Sequence, residues 1–422
     1  MSVRAGCCLG LLGAFLLAAP ASALICTPEQ YGARADGVTK DTEAIQKAID
    51  ICAMQGGGTV TLAKGTYLTA PITLKNNITL NIPAGVTLLG SPDHADYPPV
   101  TVFKAPGRQA LITATRAHGI AITGKGTIDG NGSSWWRDAG GQRPSGVMGH
   151  IVFRPRLIVF DHSQYIRMSG VTVQNSPSWQ IVPYYSNDVM IRDVKVLAPP
   201  DSPNTDAIDP FSSSNVVIDH VTADVGDDNI AIKSGKIDSP GPDDPSINIT
   251  ITDCIFLHGH GLSIGSELAG GAKDIRAERI YFKGTDQGIR IKSNRDRGHD
   301  VGDLFFKDID MEDVGTAILV SEYYPDIEPP ADNRPHPVTR LTPFFHDFHF
   351  ENVSVKSSKV AGAVFGLPEA PVKGLVMKNV RLTGTKGLTI GNAQGVVLQG
   401  VTVTAAQGKN IDILPSAKVI MR

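Results

Sequence analysis

The chain of 422 residues is long enough for one large domain or two ordinary ones. Its formal net charge of −3 disfavours a nucleic-acid partner, which a basic surface would serve. With 44 glycines, aromatics at only 6% and abundant Val and Ile, the composition favours short strands joined by turns, an all-β chain.

Residues 1–23 carry a basic residue at Arg4, an apolar run over 7–19 and the small triplet Ala21-Ser22-Ala23, the pattern of a cleaved signal peptide. The run is shorter than the roughly 20 residues that span a bilayer. It predicts a secreted protein, extracellular or periplasmic, with no membrane attachment after cleavage. Cleavage leaves Cys26, Cys52 and Cys254. In an oxidising compartment a disulfide between Cys26 and Cys52 is expected to tie the mature N-terminus to the segment around Cys52. Cys254 sits in an apolar strand pattern and reads as inert core. No CxxC pair and no HExxH occurs, so neither a metal site nor a cofactor is expected.

Thr39, Asp41 or Thr42 can cap a helix whose apolar residues Ile45, Ala48, Ile49 and Cys52 recur at helical spacing. Three glycines, Gly56 to Gly58, end it, and from Val60 the apolar period falls to about two. From about residue 118 one phrase repeats: a short β-branched run, a turn, another run, another turn. Asn215-Val-Val-Ile-Asp-His-Val221 and Asn248-Ile-Thr-Ile-Thr-Asp-Cys254 are examples. The phrases recur at roughly 20 to 33 residues, the period of a solenoid. Each unit is too short to bury its own apolar face, so the units must stack. Residues 24–422 therefore read as one right-handed parallel β-helix, capped at its N-terminal end by the helix. Excursions at 132–155, 236–246 and the Pro-rich 325–343 interrupt the repeat.

Four coils carry unusual polar groups. They read Asn204-Thr-Asp206-Ala-Ile-Asp209, Gly226-Asp227-Asp228-Asn-Ile-Ala-Ile-Lys233, Gly259-His260-Gly261-Leu-Ser-Ile-Gly265 and Gly288-Ile-Arg290-Ile-Lys292. The apolar pairs Ile230 and Ile232, Leu262 and Ile264, and Ile289 and Ile291 must face the core, so the residues between them face out. Stacking the pairs places Arg290 and Lys292 on the outer face of a sheet whose leading edge bears the aspartates and His260. Such a groove suits an acidic polysaccharide, and four coils span roughly 14 Å, about three sugar rings. Glycoside cleavage needs one protonated carboxylic acid and one carboxylate, and crowding three aspartates raises the proton affinity of at least one. Because Arg290 and Lys292 point away from the core, replacing them is expected to weaken substrate binding more than folding.

In order, these four phrases resemble the signature segments of glycoside hydrolase family 28, the polygalacturonases, and the similarity runs from Tyr31-Gly-Ala-Arg-Ala-Asp-Gly37 through Asn175-Ser-Pro177 to Arg290-Ile-Lys292. The resemblance implies hydrolysis of α-1,4 linkages in polygalacturonate (pectin) by a monomer. Asp227 is then the general acid, Asp206 and Asp228 activate the water, His260 tunes the acid's proton, and Arg290, Lys292 and Asn204 bind substrate. It also implies inversion, whereas carboxylates one coil apart, near 5 Å, would lie on the retaining side of the usual separation rule. Ala207 stands where the family has Gly, which either narrows the adjacent subsite or does nothing. Ile264-Gly-Ser-Glu267 and the Pro-rich excursion incline the reading towards exo action. Two alternatives stay open: a Ca²⁺-dependent pectate lyase, and a non-catalytic carbohydrate-binding β-helix.

Overall fold

The computed structural model describes residues 24–102, 104–140, 153–235 and 243–422; the expected signal segment 1–23 and parts of two excursions lie outside the described residues. Each coil lays down up to three short strands, and each strand pairs in parallel with its counterpart in the next coil. The result is a right-handed parallel β-helix with mostly strand structure. The first sheet includes Ile112–Thr115, Ile158–Asp161, Ile181–Tyr184, Ile230–Ile232, Leu262–Ile264, Gln287–Lys292 and Val314–Ser321. Its register places Ile158, Ile181, Ile208, Ile230, Leu262, Ile289 and Ile318 in one column, every one fully buried. Each such side chain contributes roughly 1.5 to 3 kcal/mol of burial, and the main core runs unbroken from Cys26 to Val403.

Sharp corners separate the second sheet from its neighbours. Where the second strand begins, Asp188, Asn215, Asn248, Asp274, Asp303 and Asp347 all hold φ between 50° and 55°. Asn and Asp tolerate this left-handed conformation better than other non-glycine residues, which explains the polar residue that recurs at each corner. The amides also stack: Asn248 Nδ2 donates to Asn215 Oδ1 at 2.6 Å, and Asn215 Nδ2 to Asn187 Oδ1 at 3.2 Å.

The N-terminal helix spans Thr42–Met54 and buries Ala44, Ile45, Ala48, Ile49 and Cys52 against the first coils. Asp41 takes the N-cap position, yet its carboxylate accepts hydrogen bonds from the backbone of Arg34 and Ala35 at 2.7 and 3.0 Å and leaves the helix end to others. Cys26 and Cys52 are disulfide-bonded, joining strand Ile25–Cys26 to the helix. Cys254 is buried, and that burial pushes its thiol up to about 12. A second helix, Ser133–Gly140, opens the first excursion; two turns are too few to show a helical period in the sequence. Trp135 stacks on His94 with ring centroids 3.4 Å apart, and Trp136 Nε1 donates to Ser176 O at 2.9 Å, which pins the helix to the body.

All three excursions flank the first sheet. The one at 132–155 leads into Ile158–Asp161, while 236–246 and 325–343 leave from Ile230–Ile232 and Val314–Ser321. Among the described residues no helix is long and apolar enough to cross a membrane.

Replacing Cys26 and Cys52 together with Ala is expected to lower the stability of the N-terminal coils by about 3 kcal/mol. Thermal unfolding of the double variant checks this, and an unchanged melting temperature would show that packing alone holds the helix.

Candidate active site

Ile230, Leu262 and Ile289 stack, as do Ile232, Ile264 and Ile291, so the outward residues Ala231, Ser263 and Arg290 share a column. Bridges pairing Ile208 with Ile230 and Phe211 with Lys233 carry the register back one coil. Asp209 thereby joins the column of Ala231, and Asp206 sits level with Asp228. Gly259 and Gly261 hold His260 between two left-handed turns, with φ of +122° and +73°. A Cβ on Gly259 would come within 2.6 Å of Asp227 O, and one on Gly261 within 2.2 Å of Gln287 O, so the close approach of the coils requires both glycines.

The three aspartates have different partners. Asp227 Oδ1 accepts from Asp228 N at 2.9 Å and lies 3.1 Å from His260 Nδ1, while its Oδ2 accepts from Asn204 Nδ2 at 3.3 Å. His260 Nε2 in turn lies 3.4 Å from Asp286 Oδ2. Asp228 Oδ1 accepts from Ser263 Oγ at 2.8 Å and pairs with Arg290, and its Oδ2 lies 3.1 Å from Lys292 Nζ. Asp206 Oδ2 lies 3.6 Å from Lys233 Nζ, and Oδ1 has no hydrogen-bond partner among the described residues. The Asp227 side chain is 17% exposed, against 3% for Asp206 and 2% for Asp228.

These surroundings separate the proton affinities. Burial raises Asp206 well above the usual carboxylate range, and the neighbouring Asp209 and Asp227 charges add to it. Burial also works to raise Asp228, but Arg290, Lys292 and Lys233 outweigh it and hold the group firmly ionised. Burial likewise opposes ionisation of Asp227, yet the hydrogen bond to His260 wins and lowers it. The imidazole gains accordingly: burial lowers His260, and the Asp227 carboxylate more than restores it, so its proton persists above the ordinary value. Of the three aspartates it is Asp206 that is raised, by burial first and by neighbouring charges second, whereas Asp227 is lowered and His260 raised.

Arg290 and Lys292 lie in the register expected for outward residues, but their charged heads turn onto Asp228, which is itself only 1% exposed. Replacing either residue therefore also weakens a buried ion cluster, a cost to folding that comes on top of the expected loss of substrate binding. Asn204 does not point freely into the groove either. Arg154 Nη2 donates to its Oδ1 at 2.7 Å, which turns its amide nitrogen to Asp227. Ala207 is fully buried within the main core, so its methyl group narrows no subsite. The sequence reading assigned no role to Lys233, Ser263 or Arg154. For Lys233 a signal existed, since it follows Ile230-Ala-Ile as Lys292 follows Ile289-Arg-Ile.

Asp227, Asp228 and His260 bring one ligand atom each within 4.8 Å of one another, a spacing a divalent ion can use. Both oxygens of Asp228 are already held by cations, and a metal ion there would meet like-charge repulsion. A second such group, Asp219, His220 and Asp253, lies at a corner away from the groove, with Arg192 Nε 3.0 Å from Asp219 and Arg279 Nε 2.8 Å from Asp253.

Residues 52–407 match the family described as glycosyl hydrolases family 28. A probable polygalacturonase of Vitis vinifera is 31% identical over 368 residues, which cover 83% of this chain and 73% of that protein. An endo-polygalacturonase of Pectobacterium carotovorum subsp. carotovorum is 30% identical over 407 residues, 91% of this chain and 96% of that protein. The crystal structure of a hyperthermoactive exopolygalacturonase from Thermotoga maritima matches with a TM-score of 0.78 at 26% identity, covering 92% of this chain and 93% of that one. A groove lined by aspartates on the first sheet, a family match over most of the length and relatives that align almost end to end make this chain a member of glycosyl hydrolases family 28, and so a glycoside hydrolase.

Proposed function

We propose that the chain hydrolyses α-1,4-galacturonosidic linkages of polygalacturonate with inversion, Asp227 donating the proton and Asp206 and Asp228 holding the attacking water. The observation that carries this reading is the difference in reach. Asp227 is the most exposed of the three carboxylates and alone stands against a protonatable imidazole, while Asp206 and Asp228 are recessed on the floor. His260 and Asp227 share one proton, so their titration belongs to the pair. In the reaction Asp227 gives that proton to the leaving glycosidic oxygen as the bond breaks. Water attacks the anomeric carbon from the opposite face and passes its proton to Asp206, which releases it to solvent, while solvent returns one proton to the Asp227 and His260 pair for the next cycle.

The substrate class is supported by charge as well as by the relatives' names. Arg290 and Lys292 together face the single carboxylate of Asp228, so these three groups carry one surplus positive charge, which favours a polyanion. An exo mode is inferred from the wall beside these cations. The Tyr324 ring lies 5.3 Å from Lys292 Nζ and 5.5 Å from the Arg297 guanidinium, and the Pro-rich 325–343 segment continues from it. Closure of one end of the groove by this segment is what the exo reading requires, since a closed end favours a chain terminus over a chain interior. The leader-like residues 1–23 support export of the chain, which would put the activity outside the cytoplasm.

Chromatography of early products from polygalacturonate tests both the reaction and its mode. Saturated monomer or dimer alone is expected. A ladder of oligomers would refute the exo mode, and an unsaturated, ultraviolet-absorbing product would indicate β-elimination instead.

Asp227→Asn preserves size but removes the transferable proton, so kcat is expected to fall by roughly 10² to 10⁴ with an unchanged melting temperature. The wild-type profile should be a bell. Its acid limb lies above the ordinary aspartate value, because Asp206 is raised and must ionise, and its alkaline limb lies above the ordinary imidazole value, because the pair with His260 must keep its proton. Retention of more than about a tenth of wild-type turnover, well above that range, would show that the proton comes from elsewhere.

Lys292→Met leaves Asp228 with one fewer charged partner, and it is expected to cost about 2 kcal/mol of stability as well as raising KM. Denaturant unfolding measures the first effect, and a variant as stable as wild type would mean that Arg290 alone satisfies Asp228.

A further inference from the structure

Asp209 and Lys233 take no part in the mechanism above, yet both are buried on the floor of the groove. Asp209 is fully buried, and neither of its carboxylate oxygens has a hydrogen-bond partner among the described residues. It occupies the same outward column as Ser263 and Arg290, so it faces the groove side of the sheet and not the apolar core. Lys233 is 5% exposed. Its Nζ lies 3.6 Å from Asp206 Oδ2, 3.7 Å from Glu267 Oε2 and 4.8 Å from the centre of the Trp179 ring.

The register shows why the lysine is there. Lys233 stands immediately after the core pair Ile230 and Ile232, as Lys292 does after Ile289 and Ile291, so the two occupy one column with Gly265 between them. Each reaches a recessed aspartate: Lys292 takes Asp228, and Lys233 takes Asp206. The provision is unequal, because Asp228 has Arg290 and Lys292 against its two oxygens, whereas Asp206 shares Lys233 at 3.6 Å and feels the Arg156 charge.

We propose that Lys233 is a positioning residue for hydrolysis, a buried counter-ion that keeps Asp206 available as a water-holding carboxylate, and that Asp209 draws on the same charge and so limits how much of it Asp206 receives. This rests on the role given to Asp206 above. The charged groups acting on Asp206 are Asp209, Asp227, Asp228, Lys233 and Arg156. Those acting on Lys233 are Glu267, Asp209, Asp206, Asp228 and Lys292. Asp209 feels Lys233, Asp228, Asp227, Glu267 and Arg156. Lys233 is the lysine that Asp206, Asp209 and Glu267 share, with Arg156 acting on the two aspartates as well, so replacing one partner leaves more of the lysine's charge to the others.

The test is the acid limb of the kcat/KM profile against pH on polygalacturonate, measured for Lys233→Met, Lys233→Arg and Asp209→Asn with melting temperatures alongside. Without the positive charge Asp206 ionises less readily, so the limb of Lys233→Met should move up by about one pH unit or more. Lys233→Arg keeps the charge and should bring the limb back towards the wild-type position. Asp209→Asn frees the lysine for Asp206 and should move the limb down. An unmoved limb in a folded Lys233→Met enzyme overturns the proposal. If that variant does not fold, Lys233→Gln takes its place: an upward shift supports the counter-ion and an unmoved limb overturns it, whereas the limb of Asp209→Asn falls also because a like charge beside Asp206 is gone. Asp206→Asn separates this from the underlying assignment, because near wild-type turnover in that variant would remove Asp206 from the mechanism wherever the limbs of the others lie.

Discussion

Everything in this molecule depends on the pairing of each coil with the next. A short strand in a coil has no partner within that coil, so its backbone groups are satisfied only by the coils on either side. That requirement holds equivalent residues of successive coils in columns one strand spacing apart. An apolar column becomes core, as with Ile158 through Ile318. A polar column becomes a line of groups that must be compatible at close range, and the floor of the groove is such a line.

The electrostatics of the site follow from the columns. Asp206 and Asp228 are brought to one level and both are buried, which for two carboxylates is tolerable only if cations reach them or protons stay on them. Asp228 is met by Arg290 and Lys292, supplied by a coil two steps further on. Asp206 is met by one lysine at 3.6 Å and retains its proton more strongly. Asp227, adjacent in sequence to Asp228, lies on the open side and meets an imidazole instead. Three residues of one chemical type thus become three groups with different tasks, and the difference lies in their neighbours.

Much of this was legible in the sequence because register is a property of periodicity. The core pairs, the outward set of Ala231, Ser263 and Arg290, the capping helix and the approach of four coils to one another can all be read from apolar residues at fixed spacing. What could not be read was the direction of long side chains. Arg290 and Lys292 have several rotatable bonds each, and periodicity says nothing of their choice of Asp228 over open solvent. Asn204 escaped for a related reason: its amide is turned by Arg154, which enters at the end of the 132–155 excursion. The helix Ser133–Gly140 was hidden by its own brevity.

The corners between the second and third sheets stay short: Ile82 leads to Val86 across three residues, and Arg192 to Lys195, Asp219 to Thr222 and Thr252 to Ile255 across two each. Every long excursion enters beside the first sheet instead. Inheritance in such a chain is therefore divided. A change in the length of an excursion reshapes the walls, and with them the stretch of polymer that fits, while the backbone columns of the floor keep their register. A change at a tight corner shifts two columns at once and disturbs the chemistry and the core together. Descendants of a common ancestor can diverge in what they grip while their reacting groups stay in place.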